Sequence, residues 1–304
     1  NMNDESDNKI ILPDGRKIDV VDSDTTERSK EREKEEEEYT SVIIKRTDDI
    51  TKHPEDVLDF AIREGEEQVN RTTLSLFLSA LSGGLIIGFA AMAVAFASVC
   101  SSELNNDFLQ RLSMALVYPL GFIIVIMGAT QLFTEHTALV VYPFLDNKCS
   151  FLEVNKVWAV VLSGNLLGTL LSSILLFYAE PVIGVKEGYL SIAHHLIEFE
   201  WYQICLSGVL AGWLMSLGGW LVLSSSSSSS QIVCVYIVTF LIGIGGLHHS
   251  IAGSAEVFTA FFMDPDLTLI QVGHFLSAAV IGNLIGGSFF VAILNYAYIK
   301  KVAD

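Results

Sequence analysis

The chain has 304 residues, 51% of them apolar and only 17% charged, which excludes an ordinary soluble domain and a wholly disordered chain and points to a membrane protein. Its net charge of −17 offers no basic field for phosphates and argues against nucleic-acid binding. The charge is uneven: residues 1–71 carry 22 acidic and 12 basic side chains, residues 72–304 only 13 and 6.

Residues 1–53, with a dense charged run from Glu31 to Glu38, contain little that could build a core and read as an acidic, disordered arm without a signal peptide. Over 54–72 the pattern changes. Val57, Leu58, Ala61 and Ile62 recur at helical spacing among Glu55, Asp56, Arg63 and Glu66, as in an amphipathic helix that either lies at a membrane face or packs on its own protein. Residues 73–304 contain six apolar stretches, near 73–101, 109–145, 153–180, 201–223, 231–263 and 268–299, each reaching the roughly 20 residues needed to cross the hydrocarbon core.

The Ser102–Asp107 connection and the Asp264–Pro265–Asp266 turn are acidic, whereas Lys148, Lys156, Lys300 and Lys301 fall on the opposite side with the arm. The positive-inside rule then predicts both termini in the cytoplasm and an external 181–199 loop. The seven serines from Ser224 to Ser230 read as a flexible connection. Cys100, Cys149, Cys205 and Cys234 lack metal-ligand spacing and read as buried thiols.

The body repeats. Gly164–Asn165–Leu166–Leu167–Gly168 in span three and Gly282–Asn283–Leu284–Ile285–Gly286 in span six are 118 residues apart. Spans two and five carry polar interruptions, Gly128 to His136 and Gly245 to Gly253, and aligning Gly128 with Gly246 gives the same offset. Three spans separate the copies, so the second is inverted. Inverted repeats with matching interruptions point to a midplane transport site, since unwound backbone survives in a membrane only inside protein or beside a cavity. The predicted fold is an all-α membrane protein of six transmembrane helices in two inverted three-helix repeats, with the second and fifth helices broken. The small residues of the Gly-Asn strings read first as helix-packing positions.

Gln131–Leu132–Phe133–Thr134, His249–Ser250–Ile251–Ala252 and the two Gly-Asn strings, set in six matching spans over roughly 55–300, make the chain resemble the formate/nitrite transporter family. The resemblance implies an aquaporin-like protomer with its own pore, five protomers to a ring, in the cell membrane of a bacterium (its inner membrane). It places a central pore histidine at His249, faced by Thr134, with Gln131 and His248 beside them. Leu132 and Phe133 belong to the apolar constrictions, with Phe122, Met215 and Ile242 as further partners. The chain departs from the family pattern at His248, where members usually have Glu, and at Gly253 and Gly212, where they have Asn; it is a divergent member.

The reading that follows is a passive or proton-linked channel for small monovalent anions or their conjugate weak acids. It takes a small anion or weak acid as substrate, the lipid bilayer as surroundings and no cofactor. The alternatives are a poorly conducting relative with a regulatory or scaffold role, or a pore for another small solute. An enzyme is set aside, since no nucleophile–base pair or metal motif is present. Glu135 and Glu256 are the carboxylates set inside spans two and five; structural roles come first for both, and either one facing the pore would oppose anions.

Overall fold

The computed structural model describes residues 9–11, 17–19 and 52–303. Within the arm, Lys9–Ile11 (β1) pairs antiparallel with Lys17–Asp19 (β2), which sets Ile10 opposite Ile18 and Lys9 opposite Asp19. These six residues form a two-stranded ribbon where the sequence reading expects an unstructured arm. The Glu31–Glu38 run lies outside the described residues.

Helix α1 (Pro54–Asn70) opens on a proline, whose fixed φ suits a first turn. Its Leu58, Ala61 and Ile62 join Ala138, Val141, Tyr142 and Val291 in one buried cluster, so the apolar face packs on the protein itself. Span one is α2 (Thr73–Ser102). Span two is α3 (Asp107–Val117) and α4 (Pro119–Met127), resumed after a break by α5 (Phe133–Leu139) and α6 (Val141–Leu145). Span three, α7 (Phe151–Ile183), starts with a capping box between Ser150 and Glu153 and ends at Gly184, whose φ of 70° suits glycine. After α8 (Lys186–Ile197) come span four, α9 (Trp201–Ser224), and span five, α10 (Ser228–Gly245), resumed after a break by α11 (Ser250–Met263). Span six is α12 (Leu269–Gly287), a π turn at Ser288–Ile293, and α13 (Leu294–Ala303). Six of these segments are long and apolar enough to cross a membrane.

Three expectations need correction. The 181–199 stretch contains helix α8, which buries Tyr189, Ala193 and Leu196 on one face. The serine run is ordered by capping: Ser224 ends α9, Ser228 to Ser230 open α10, and the Ser227 hydroxyl accepts from the Ser230 N–H at 3.2 Å. The cysteines are unpaired but not buried: Cys100, Cys205 and Cys234 stand on outward-turned faces of α2, α9 and α10, and Cys149 stands in the bend before α7; Cys100 is exposed and the other three are half-buried.

Two helix crossings carry the fold. In the first, Gly84 of α2 meets the Asn165 backbone, Gly164 meets Ala80, and Gly168 meets the Leu81 carbonyl. In the second, Gly212 of α9 meets the Asn283 backbone, Gly282 meets Cys205, and Gly286 meets the Val209 carbonyl. Backbones this close exclude any side chain. One end of the body gathers Lys148 with Glu66 at 3.6 Å, Lys300 with Asp146 at 2.9 Å, and Lys52 with the Leu223 carbonyl at 3.0 Å. The other end pairs His194 with Asp264 at 2.9 Å. Burial pushes the Asp146 carboxyl up, but hydrogen bonds from Lys300 and Tyr296 outweigh this and hold it below its ordinary value. That clamp is therefore intact above the ordinary carboxylate range and lost as pH falls through the lowered value.

Gly168→Val and Gly286→Val, which drive methyl groups into facing backbone, are each expected to cost about 1–3 kcal/mol. A lowered unfolding temperature in detergent, with no such drop for Gly273→Ala at an open position, is the check.

Candidate functional site

The first break begins where Gly128 caps α4 and Ala129 takes a φ of 51°. The Thr130 N–H then turns back to the Val125 carbonyl at 3.1 Å. The second begins at Gly246, with a φ of 60°, followed by a bond from the Leu247 N–H to the Ile242 carbonyl at 3.0 Å. Both breaks expose the first amides of a new half-helix inside a membrane-spanning body.

One asparagine closes each. Asn165 Oδ1 accepts from the Phe133 N–H at 2.8 Å, while its Nδ2 donates to the Ala80 carbonyl at 2.7 Å and the Gln131 carbonyl at 2.9 Å. Asn283 Oδ1 accepts from the Ser250 N–H at 2.8 Å, and its Nδ2 donates to the Gly208 carbonyl at 2.8 Å and the His248 carbonyl at 3.0 Å. These asparagines, read from sequence as packing residues first, pin both breaks. Gln131 precedes its asparagine by 34 residues and His248 by 35, so the single offset of 118 fails in the loops by one residue. The counterpart of His249 is consequently Leu132, each standing at the N-cap of its half-helix.

His249 Nδ1 accepts from the Ile251 and Ala252 N–H groups at 3.2 and 3.1 Å. That atom therefore carries a lone pair, and the proton of the neutral ring sits on Nε2, which donates to Thr134 Oγ1 at 3.0 Å. The Thr134 hydroxyl keeps its own proton to offer. Phe122 meets the imidazole edge-on at 5.1 Å between ring centres.

A cavity of about 330 Å³ reaches one side of this pair and is lined by His249, Ile242, Glu256, Tyr118 and Arg111 among others. A second, of about 110 Å³, takes Gln131, Glu135 and His136, neighbours of Thr134, into its wall. The structure thus unites Thr134 with His249 and sets Gln131 in the wall of the second cavity. Leu132, Phe133, Phe122, Met215 and Ile242 are buried in one cluster.

His248 stands apart. Its Nε2 donates to the Leu196 carbonyl at 3.2 Å and its Nδ1 accepts from the Ser207 hydroxyl at 2.8 Å, so both nitrogens are committed to α8 and α9. Gly253 packs on the Phe275 ring. Sequence reading also missed Ser216, whose hydroxyl donates to the Thr134 carbonyl at 3.0 Å; no repeat or motif marks it.

Asn165→Leu and Asn283→Leu each strand one buried N–H and two carbonyls, and a loss of about 2–4 kcal/mol is expected from either. Unfolding temperature, compared with that of Asn155→Leu, a half-buried asparagine whose side chain bonds the Phe151 carbonyl of its own helix, reads it.

The sequence profile of the formate/nitrite transporter family matches residues 55–297. The inner membrane protein YfdC of Escherichia coli (strain K12) is 28% identical over 244 residues, 79% of this chain and 76% of YfdC. The formate channel FocA of Haemophilus influenzae is 22% identical over 272 residues, 82% of this chain and 94% of FocA. Among solved structures, an FNT family ion channel matches with a TM-score of 0.73 at 18% identity, over 80% of this chain and 98% of that one. A pentameric formate channel with formate bound matches with a TM-score of 0.66 at 21% identity, over 75% and 98%. With the six spans, the broken second and fifth helices and a profile match across most of its length, the chain belongs to the formate/nitrite transporter family, a family of multi-pass membrane channels and transporters rather than enzymes.

Proposed function

We propose that this protein is a channel for small monovalent anions and their conjugate weak acids, which cross the centre as the neutral acid. The observation that carries the reading is the Thr134–His249 hydrogen bond at 3.0 Å, with His249 lining the larger cavity, Glu135, next to Thr134 in the chain, lining the smaller, and buried apolar side chains around the pair. A bare anion forced through Phe122, Leu132, Phe133 and Met215 loses its hydration with only a hydroxyl and an imidazole to replace it, at a cost of several kcal/mol, on the order of that for any isolated buried charge. A neutral acid avoids most of that cost and still finds partners at Thr134.

His249 acts as a fixed neutral ring. A proton added at Nδ1 would displace both N-cap amides, so its part in conduction is to orient the Thr134 hydroxyl through Nε2–H. Gln131 offers a polar contact on the second-cavity side.

The assembly proposed is a homopentamer with one pore per protomer, in a bacterial inner membrane, with both termini cytoplasmic. A relative named as an inner membrane protein and a similar fold named as a pentameric formate channel support this. So does the gathering of Lys148 and Lys300 at the end opposite Asp264.

Uptake of formate, nitrite, acetate and hydrosulfide into liposomes tests the reading; no flux of any of them would overturn it. His249→Phe and His249→Asn separate the two jobs of the ring. Asparagine is a good N-cap but too short to hold Thr134. Both variants are expected to lose at least about tenfold in flux, roughly 1.4 kcal/mol, with only the phenylalanine form also losing stability. Wild-type transport by His249→Asn would make the histidine a cap and nothing more. Thr134→Val removes one hydroxyl contact worth about 1 kcal/mol, and a roughly fivefold loss of flux is expected.

A further inference from the structure

The first cavity contains a group that the channel reading leaves unused. Glu256 of α11 is only 5% exposed, yet it lines the cavity that reaches His249. Among the described residues, no hydrogen bond or ion pair reaches its carboxyl group. Burying a carboxylate charge with no partner is expensive, so a carboxyl retained in such a place points to function.

The other charged or titratable side chains facing the cavity are Asp107 and Arg111 of α3, Tyr118 between α3 and α4, His195 of α8, and His249. Helices α2 and α10 place no titratable group in the wall, and neither do α7 and α12. Asp107 and Arg111 are exposed, at the mouth. His195 is engaged with Glu198 at 3.0 Å. Both nitrogens of His249 are committed, and a phenol such as Tyr118 is a far weaker acid than a carboxyl, with an ordinary value of about 10. Glu256 is the buried carboxyl among them.

We propose that Glu256 is the proton donor that turns an incoming monovalent anion into the neutral acid crossing the centre. This rests on the channel reading, which requires a neutral acid at the apolar cluster and leaves the source of its proton open. An anion drawn in past the Arg111 guanidinium takes the proton from Glu256: the carboxyl O–H bond breaks, its electron pair stays on the Glu256 oxygen, and a new O–H bond forms on the solute. Hydronium from the solution at the cavity mouth restores the Glu256 proton. The net passage is one anion with one proton. The substrate class is therefore anions of weak acids, basic enough to accept a carboxyl proton, such as formate, and it excludes anions of strong acids such as nitrate.

The test uses the full chain in liposomes, with formate uptake and a trapped pH dye read together and formamide as a neutral solute of similar size. Glu256→Gln, which keeps the shape but has no acidic proton, is expected to lower coupled formate and proton uptake at least about tenfold while formamide uptake stays within about twofold. Glu256→Asp should retain most of the formate flux. Unchanged formate uptake in Glu256→Gln, or an equal fall for formamide, overturns the proposal, because the residue is then a bystander or a wall. Formamide or formate failing to enter through the wild-type protein overturns the channel reading itself and the donor role with it. A second measurement needs no variant: a hydrophobic carbodiimide, which attacks protonated carboxyls, should modify Glu256 in the wild-type protein and stop formate uptake. Absence of that adduct by mass spectrometry overturns the proposal.

Discussion

A membrane-spanning helix cannot be interrupted cheaply, because every amide and carbonyl released from the helix is left without water to bond. The whole centre of this protein depends on the solution to that problem. Asn165 and Asn283 each spend one side-chain amide on both edges of a break, accepting from the first N–H of the new half-helix and donating to the last carbonyl of the loop. Their second donor bond, to Ala80 and to Gly208, fastens each arrangement to the first helix of its own half. Glycines at the two crossings bring those helices close enough for an asparagine to reach.

The two halves solve the same backbone problem with different residues at the equivalent N-cap. Leu132 caps nothing with its side chain, whereas His249 accepts from two amides and still reaches across to Thr134. The result is one polar pair set in an apolar cluster, instead of two polar caps facing each other. Such a centre suits a neutral solute that needs one or two hydrogen bonds, and opposes a solute that keeps its charge. Secondary bonds stiffen it: Ser216 holds the Thr134 carbonyl, and Thr169 pairs with Ser254 at 2.9 Å on the other half-helix.

The two cavities differ as well. The larger one has Arg111 and Asp107 at its mouth and Glu256 in its wall, and the smaller one has Glu64 and Glu135 with His136. His136 donates from Nδ1 to the Leu132 carbonyl at 2.9 Å, which leaves Nε2 buried with its lone pair toward no protein donor among the described residues. Carboxyl groups near both approaches to the centre are hard to reconcile with simple attraction of anions, and they fit a pathway in which protons accompany the solute.

Much of the fold was legible from local properties of the chain. Apolar length marked the six spans, and Gly-rich polar interruptions marked both breaks; the paired Gly-Asn strings tied them into two copies. The resemblance carried by Gln131 to Thr134 and by His249 to Ala252 set Thr134 opposite His249, and the two side chains share a hydrogen bond. Helix α8 and the serine caps were not legible, because a short amphipathic helix and a polar turn differ little in composition. What only the tertiary structure decided was the partner of each polar atom. His248 and His249 are adjacent in the chain, yet one is tied to Ser207 and Leu196 and the other to Thr134, and Glu256 meets a cavity while Gly212 meets a backbone. The reason is physical: span length and helix-breaking tendency are set by neighbouring residues, whereas hydrogen bonds between groups tens of residues apart depend on which helix faces meet, and a one-residue slip between the repeats was enough to make Leu132, not Gln131, the counterpart of His249.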